Sequence, residues 1–255
     1  MQNKKCYMCD SPATSDEHVP PKCIFPEHKD VKRNLRDNLI TVPSCDVHNA
    51  NKSRDDEFLM VSLAGILGNN SIGYEHYHGK VQRALKRRAN RLLDKVFLTK
   101  HTLRLGDENK FLDLIFGQPD YARLIDCFTH IAYGVYRYHF QESFNGKIKV
   151  FMGFLHSANK NHNAFKAFIA HRAEIDLREK SGSNPEVFYY RLADPDKFGF
   201  SLIHLCFYEN VNIYVSLMPE GSAPPFDLGM ELIKGGIETV VEIEGKQYKF
   251  NERNT

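Results

Sequence analysis

The chain lacks any apolar run that approaches the roughly 18 to 20 residues of a membrane span. Its first ten residues, MQNKKCYMCD, are polar and lack the apolar core of a secretory signal peptide. It has no internal repeat and no low-complexity segment. These absences exclude a membrane protein and a repeat array, and we expect a soluble, cytoplasmic protein without a membrane partner.

Net charge is also low, at +2 for 255 residues, so composition by itself does not indicate a nucleic-acid-binding protein. The charge is unevenly distributed, however. Residues 1–100 carry 17 Lys and Arg against 12 Asp and Glu, whereas the remainder carries an acidic excess. We therefore expect an anionic partner to bind the N-terminal part of the chain.

Cysteine is scarce, with six residues, and in a reducing compartment cysteines favour metal binding or burial over disulfides. Cys127 and Cys206 lie in apolar runs and are predicted core thiols. The other candidates lie in the first 55 or so residues, which have little apolar periodicity and cannot fold by burial alone. Within them, the pairs Cys6-x-x-Cys9 and Cys45-x-x-His48 have the spacing of ligands to one tetrahedral zinc.

We predict a structural zinc bound by Cys6, Cys9, Cys45 and His48. A closed site of four protein ligands has no open position for chemistry, so this zinc indicates a stable fold only. Cys23 is a fifth candidate without a partner at ligand spacing. It is either a buried thiol or a substitute for one of the four.

The stretch SDEHVPPKCIF places an acidic residue and a histidine directly before two prolines. Pro20 and Pro21 fix φ and favour an extended backbone before them, so Glu17 and His18 are expected at the end of a strand or in a loop. Asn49 follows the last zinc ligand and lies in the first turn of a helix predicted from Asp46. Glu17 and Asn49 can supply oxygen ligands to Mg²⁺ or Mn²⁺, beside which a neutral His18 can deprotonate a water.

Taken together, CxxC, EHVPP and NLITVPSCDVHNANKSRDDE resemble the His-Asn-His (HNH) endonucleases, the ββα-metal nucleases, in their zinc-stabilised variety. The resemblance covers roughly residues 4–60. It implies that His18 is the general base, that Glu17 and Asn49 bind the catalytic metal, and that Asn38 is the middle asparagine. The implied activity is hydrolysis of phosphodiester bonds in DNA.

The predicted fold class is α+β, with a zinc-pinned, treble-clef-like ββα-metal module at residues 1–68 and a larger α+β region at residues 69–255. The larger region begins with an amphipathic helix predicted over residues 79–98, whose polar face is cationic. That face either contacts DNA phosphates or is simply a solvated helix surface. The candidate phosphate contacts are Arg83, Lys86, Arg87, Arg88 and Arg91, with Lys52 and Arg54 beside the cut.

Four questions stay open from the sequence. The zinc fold can instead be a catalytically inactive module that binds nucleic acid or protein, and the target can be RNA or single-stranded DNA. A homo-oligomer and a role in host defence or a mobile element are also open. Asp56 shares a helical face with Asn49 and could orient a metal-bound water or a ligand. We favour the interpretation that it belongs to an exposed acidic patch partly paired with Lys52 and Arg54.

Overall fold

The computed structural model describes residues 4–87, 91–107, 110–177, 179–223 and 225–252, without the side chains of residues 50–54, 105, 107 and 110–115. Near its start, strand β1 (Ser15–His18) pairs antiparallel with β2 (Thr41–Ser44), so that Glu17 lies opposite Val42 and His18 opposite Thr41. The two prolines that follow β1 have no N–H to continue the ladder. As predicted, Glu17 and His18 lie at the end of a strand.

The chain between β1 and β2 forms a 3-10 turn (Lys22–Ile24) and the short helix α1 (His28–Val31). Helix α2 (Asp46–Ala64) starts directly after β2, with Cys45 in an extended conformation at its N-cap. Phe58, Leu59 and Leu63 are buried and fix α2 in the core. The second cysteine-containing pair therefore spans the junction between β2 and α2.

The predicted basic helix over residues 79–98 is divided in the structure. Helix α3 (Ser71–His76) continues through a π-helical turn (Tyr77–Val81) into α4 (Gln82–Arg87), and α5 (Leu93–Val96) follows a turn at residues 91–92. The predicted apolar face is confirmed, because Val81, Leu85, Leu92 and Val96 are all buried. Arg88 lies outside the described residues.

A long hairpin that the sequence analysis did not predict comes next, formed by β3 (Phe97–Asp107) and β4 (Lys110–Pro119). Helix α6 (Tyr121–Phe140) follows, and the Asp120 side chain caps it by accepting a 3.2 Å hydrogen bond from the Arg123 N–H. Phe128, Ile131 and Val135 lie on its fully buried face.

Contacts between residues divide the chain into two units. The first contains Met1–Ser143, Gly182–Phe188 and Phe207–Asn210, and the second contains Phe144–Ser181, Tyr189–Cys206 and Val211–Thr255. The module predicted for residues 1–68 lies inside the first unit.

The second unit contains helix α7 (Lys160–Asp176) and most of a five-stranded sheet with strand order β5-β9-β8-β7-β6, in which β5 and β9 pair antiparallel. Ile169 and Ala173 of α7 pack against Phe151 and Tyr214 of the sheet. The strands are β5 (Gly146–Met152), β6 (Ser181–Asn184), β7 (Phe188–Leu192), β8 (Ser201–Phe207) and β9 (Val211–Pro219).

Helix α8 (Phe226–Lys234) and a terminal hairpin of β10 (Thr239–Ile243) and β11 (Lys246–Phe250) complete this unit. The hairpin turns at Glu244 and Gly245, both with positive φ, as the EGK sequence predicts. The chain thus mixes helices and strands, which confirms that part of the predicted fold class. No helix in the described ranges has the length and apolar character needed to cross a bilayer.

Candidate metal centre and active site

The four predicted zinc ligands lie together in the structure. Their ligand atoms, three Sγ and the Nδ1 of His48, all lie within 4.8 Å of one another. Nδ1 of His48 is 3.4 Å from Cys6 Sγ, 3.6 Å from Cys9 Sγ and 3.2 Å from Cys45 Sγ. Cys9 and Cys45 Sγ are 3.9 Å apart.

These separations fit a tetrahedral zinc. Bonds of about 2.3 Å to sulfur and about 2.0 to 2.1 Å to nitrogen require S···S edges near 3.8 Å and S···N edges near 3.6 Å. A disulfide requires an S–S bond of about 2.05 Å, which is far shorter than the Cys9–Cys45 distance. The residues present therefore fit a bound metal ion such as zinc, and Nδ1 is the histidine nitrogen that would bind it.

Local backbone structure positions the Cys6-x-x-Cys9 turn. The N–H of Met8 donates to Cys6 Sγ at 3.5 Å, and the N–H of Cys6 donates to the Ser11 carbonyl at 2.9 Å. Burial raises the pKa of the Cys6 thiol, whereas hydrogen bonds to Ser11 lower the pKa of the Cys9 thiol. The half-buried cluster thus holds one thiol that favours its neutral form, and a divalent metal would stabilise the thiolate there.

Cys23 is not part of this cluster. It lies on the 3-10 turn after the two prolines, and its thiol donates to the Asp56 carbonyl at 3.1 Å. Of the two interpretations left open for Cys23, the partly buried thiol is the one that the structure shows.

A cavity of about 150 Å³ lies at the end of β1, between the turn after the two prolines and helix α2. It brings together Glu17, His18 and Asn49, the three residues selected from the sequence as acid, base and amide ligand. Its lining residues are Asp16, Glu17, His18, Pro21, Lys22, Asn49 and Asp56. The cavity therefore contains carboxylate and amide oxygens, which are the donors that Mg²⁺ prefers, beside an imidazole.

Glu17 is the buried carboxylate of the cavity, with 6% of its surface exposed. Its Oε1 accepts a hydrogen bond of 3.3 Å from the hydroxyl of Tyr7, which is completely buried between the two cysteines of the first pair. Burial and the nearby negative charge of Glu17 raise the pKa of Tyr7. Tyr7 is therefore a neutral donor that fixes one oxygen of Glu17.

Asn49 and Asp56 reach the cavity from one face of α2, since seven residues correspond to two helical turns. Nδ2 of Asn49 donates to Ser15 Oγ at 2.9 Å, which fixes the amide against the start of β1. Asp56 is half-buried and lines the cavity. The predicted exposure of Asp56 is therefore wrong, because α2 packs with this face toward β1 and the 3-10 turn. The predicted pairing of Asp56 with Lys52 and Arg54 falls outside the described side chains.

Asn38, the predicted middle asparagine, does not line the cavity. It precedes β2 with a left-handed backbone, at φ 52°, and its carbonyl accepts a 2.8 Å hydrogen bond from Ser183 Oγ. This position shapes the loop that leads into β2.

The predicted phosphate contacts differ in what surrounds them. Arg83 makes a two-point ion pair with Asp30, with N–O distances of 2.7 and 2.9 Å, and lies 3.6 Å from Glu27. By contrast, Lys86, Arg87 and Arg91 are exposed. The side chains of Lys52 and Arg54, like Arg88, fall outside what the structure describes.

Sequence reasoning missed Lys22 and Tyr7. Lys22 follows the two prolines and lies four residues after His18, so the turn that ends β1 returns it to the cavity. Tyr7 lies in the sequence between Cys6 and Cys9. An aromatic residue in this otherwise polar stretch is the signal that could have identified it.

No protein family, curated protein or solved structure matches this chain.

Proposed function

We propose that this chain is a divalent-metal-dependent endonuclease that hydrolyses phosphodiester bonds in DNA. The observation that carries the proposal is the shared cavity of Glu17, His18 and Asn49 beside the Cys3His cluster. Glu17 and His18 lie on β1 and Asn49 lies on α2, and this placement supports the proposal of a ββα-metal nuclease. A protein that only binds nucleic acid needs neither a base nor a metal ligand in that cavity.

Glu17 and Asn49 would hold the Mg²⁺ or Mn²⁺ ion, with water and substrate oxygen completing its ligands. When bound, the ion polarises the phosphate and stabilises the leaving 3′ oxygen. The hydrogen bond from Asn49 to Ser15 orients Asn49 for this task, and the hydrogen bond from Tyr7 orients Glu17. The Cys3His cluster has a structural role, since it fixes the junction from which Asn49 extends.

His18 is the general base. Its imidazole takes a proton from a water whose oxygen forms the new bond to phosphorus. The bond between phosphorus and the 3′ oxygen breaks, and that oxygen is protonated from solvent. The products carry a 5′ phosphate and a 3′ hydroxyl, so atoms and charge balance without any redox partner.

Exposed cationic residues of the first unit would supply the contacts to the DNA backbone. Lys86, Arg87 and Arg91 are exposed and suited to phosphate contacts. Such contacts give an affinity that varies little with sequence and falls with rising salt concentration.

Cleavage of supercoiled plasmid by the purified chain in Mg²⁺ or Mn²⁺ tests the proposal, beside EDTA and a His18→Ala variant. We expect nicked or linear product from the parent and none from either control. His28→Ala is the matched control, because His28 is an exposed histidine of the same loop. Equal cleavage by parent and His18→Ala, at matched zinc content, would contradict the assigned base. Absence of cleavage in both metals would instead favour a binding module.

A further inference from the structure

We propose that Lys22 binds the phosphate group that is cut, as a cation built into the cavity opposite its carboxylates. The inference rests on the proposed nuclease function and adds a residue to that site. Among the residues whose side chains the structure describes, which leave out 50–54 of α2, Lys22 is the one lysine or arginine of the cavity lining, and its other charged members are Asp16, Glu17 and Asp56.

The 3-10 turn that carries Lys22 is fixed on both sides. Pro20 and Pro21 restrict the backbone before it. After it, the Cys23 thiol donates to the carbonyl of Asp56 on α2 at 3.1 Å, and Ile24 is completely buried. Lys22 is therefore held at a set position relative to the α2 face that carries Asn49 and Asp56.

A second chain of hydrogen bonds supports the same turn. The carbonyl of Ile24 accepts a 2.6 Å hydrogen bond from the Tyr208 hydroxyl, and that oxygen lies 2.9 Å from Nδ1 of the buried His76. Since the hydroxyl donates to Ile24, Nδ1 of His76 donates to the hydroxyl. The anchoring extends through the core of the first unit, so Lys22 extends from a rigid segment rather than from a mobile loop.

Many neighbouring cations are already paired with carboxylates. Lys29, Arg36, Lys80 and Arg83 all lie within 4 Å of Glu27 oxygens, while Arg33 pairs with Glu186 and Arg123 with Asp55. Lys22 is exposed and forms no ion pair in the part of the chain that the structure describes. Its ammonium group is thus available to a ligand.

Electrostatics explains why the cavity needs this cation. Three carboxylates would repel a phosphodiester anion, and the ion on Glu17 and Asn49 offsets only part of that charge. Negative charge grows on the phosphate oxygens in the transition state, and an ammonium at a set position stabilises it. Lysine also neutralises phosphate as a point charge in the ground state.

The test compares Lys22→Met with Lys29→Met, an exposed lysine of the same loop that is absent from the cavity lining. Cleavage of a duplex oligonucleotide in Mg²⁺ gives kcat and KM, and binding in EDTA gives the salt dependence of affinity. We expect kcat/KM of Lys22→Met to fall about 100-fold, mainly in kcat. We also expect the slope of log K against log salt to decrease by about 1 in magnitude. Lys29→Met should match the parent in both.

The outcomes separate this inference from the nuclease proposal. Parent cleavage with an unchanged Lys22→Met variant would overturn the role of Lys22 and leave the nuclease standing. If the parent does not cleave, the nuclease proposal fails, and the role of Lys22 is then tested by the salt dependence of binding alone. A smaller slope of log K against log salt in Lys22→Met supports a phosphate contact, and an unchanged slope overturns it. Lys22→Arg should restore the salt slope but only part of kcat, because guanidinium geometry differs from that of a point charge.

Discussion

The Tyr7 hydroxyl donates a 3.3 Å hydrogen bond to Oε1 of Glu17 and so joins the turn of the Cys3His cluster to the buried carboxylate of the cavity. Tyr7 follows Cys6 directly, and both are completely buried. The candidate metal cluster and the candidate catalytic site are therefore connected by one side chain. The position of Glu17 depends on correct formation of the cluster.

Replacing Tyr7 by Phe should weaken cleavage while the cluster stays intact. Loss of a hydrogen bond to a carboxylate costs about 1 to 3 kcal/mol, and we expect a roughly 5- to 100-fold higher requirement for Mn²⁺. Activity measured against Mn²⁺ concentration, together with zinc content, checks this. Tyr74→Phe is the control, because Tyr74 is exposed in the same unit. An unchanged Mn²⁺ requirement in Tyr7→Phe would show that Glu17 needs no such support.

Zinc binding should depend on Cys45 and not on Cys23. Cys45→Ser removes one of the four ligands of the tetrahedral site, so we expect less than one zinc per chain and a lower melting temperature. Cys23→Ser keeps a donor to the Asp56 carbonyl and should bind one zinc per chain, as the parent should. Elemental analysis of the purified variants measures this directly. Full zinc content in Cys45→Ser would mean that a different ligand set holds the metal.

Acidification should destabilise the chain through His76. Burial is the largest cause that lowers the pKa of His76 to about 4, so the folded state holds it neutral. Because the unfolded chain binds this proton near pH 6.5, stability is lost as the pH falls from about 6.5 to 4, by about 3 kcal/mol from this group.

Urea unfolding of the parent and His76→Gln at pH 7 and pH 4.5 measures that contribution. The variant should be less stable at pH 7 and lose less stability on acidification, while protonation of the Cys3His cluster affects both chains equally. His28→Gln, at an exposed position, should keep the pH dependence of the parent. The same loss in His76→Gln as in the parent would rule out His76 as the source.

In the second unit, a buried arginine should matter more than an arginine of a surface ion pair. Arg191 is 8% exposed, pairs with the exposed Glu174, and donates to Nδ1 of His204 at 3.0 Å and to the Leu177 carbonyl at 3.1 Å. Arg191→Met leaves the buried acceptors on His204 and Leu177 without their donor, whereas water can solvate Glu174, and we expect a loss of about 1 to 3 kcal/mol.

Arg172→Met is the matched control, because Arg172 forms an exposed pair with Asp176 one helical turn away. Loss of this exposed pair should lower the free energy of unfolding by about 0 to 1 kcal/mol. Chemical denaturation of both variants gives the comparison. Similar losses in the two would mean that the Arg191 network contributes little to stability.

The sequence alone predicted the features that depend on residues lying close together along the chain. The pairs Cys6-x-x-Cys9 and Cys45-x-x-His48 identified the cluster, because a tight turn or a helix start brings two ligands to one point. The Glu244-Gly245 turn and the buried positions of the 79–98 segment were likewise predicted, since positive φ and helical periodicity are local properties. The β3–β4 hairpin was missed, and the basic segment is divided.

Tertiary packing decided that Asp56 and Lys22 share the cavity with Glu17. Helical spacing places Asp56 on the face of Asn49, and Lys22 lies five residues after Glu17, but both reach the cavity only because α2 and the 3-10 turn pack against the end of β1. The pairing of Arg83 with Asp30 was also invisible in sequence, because the two residues are 53 positions apart. The sequence by itself determined which residues are able to bind a metal or move a proton. Only the packing of distant elements decided which of them surround one cavity, since burial and ion pairing depend on neighbours brought together by folding.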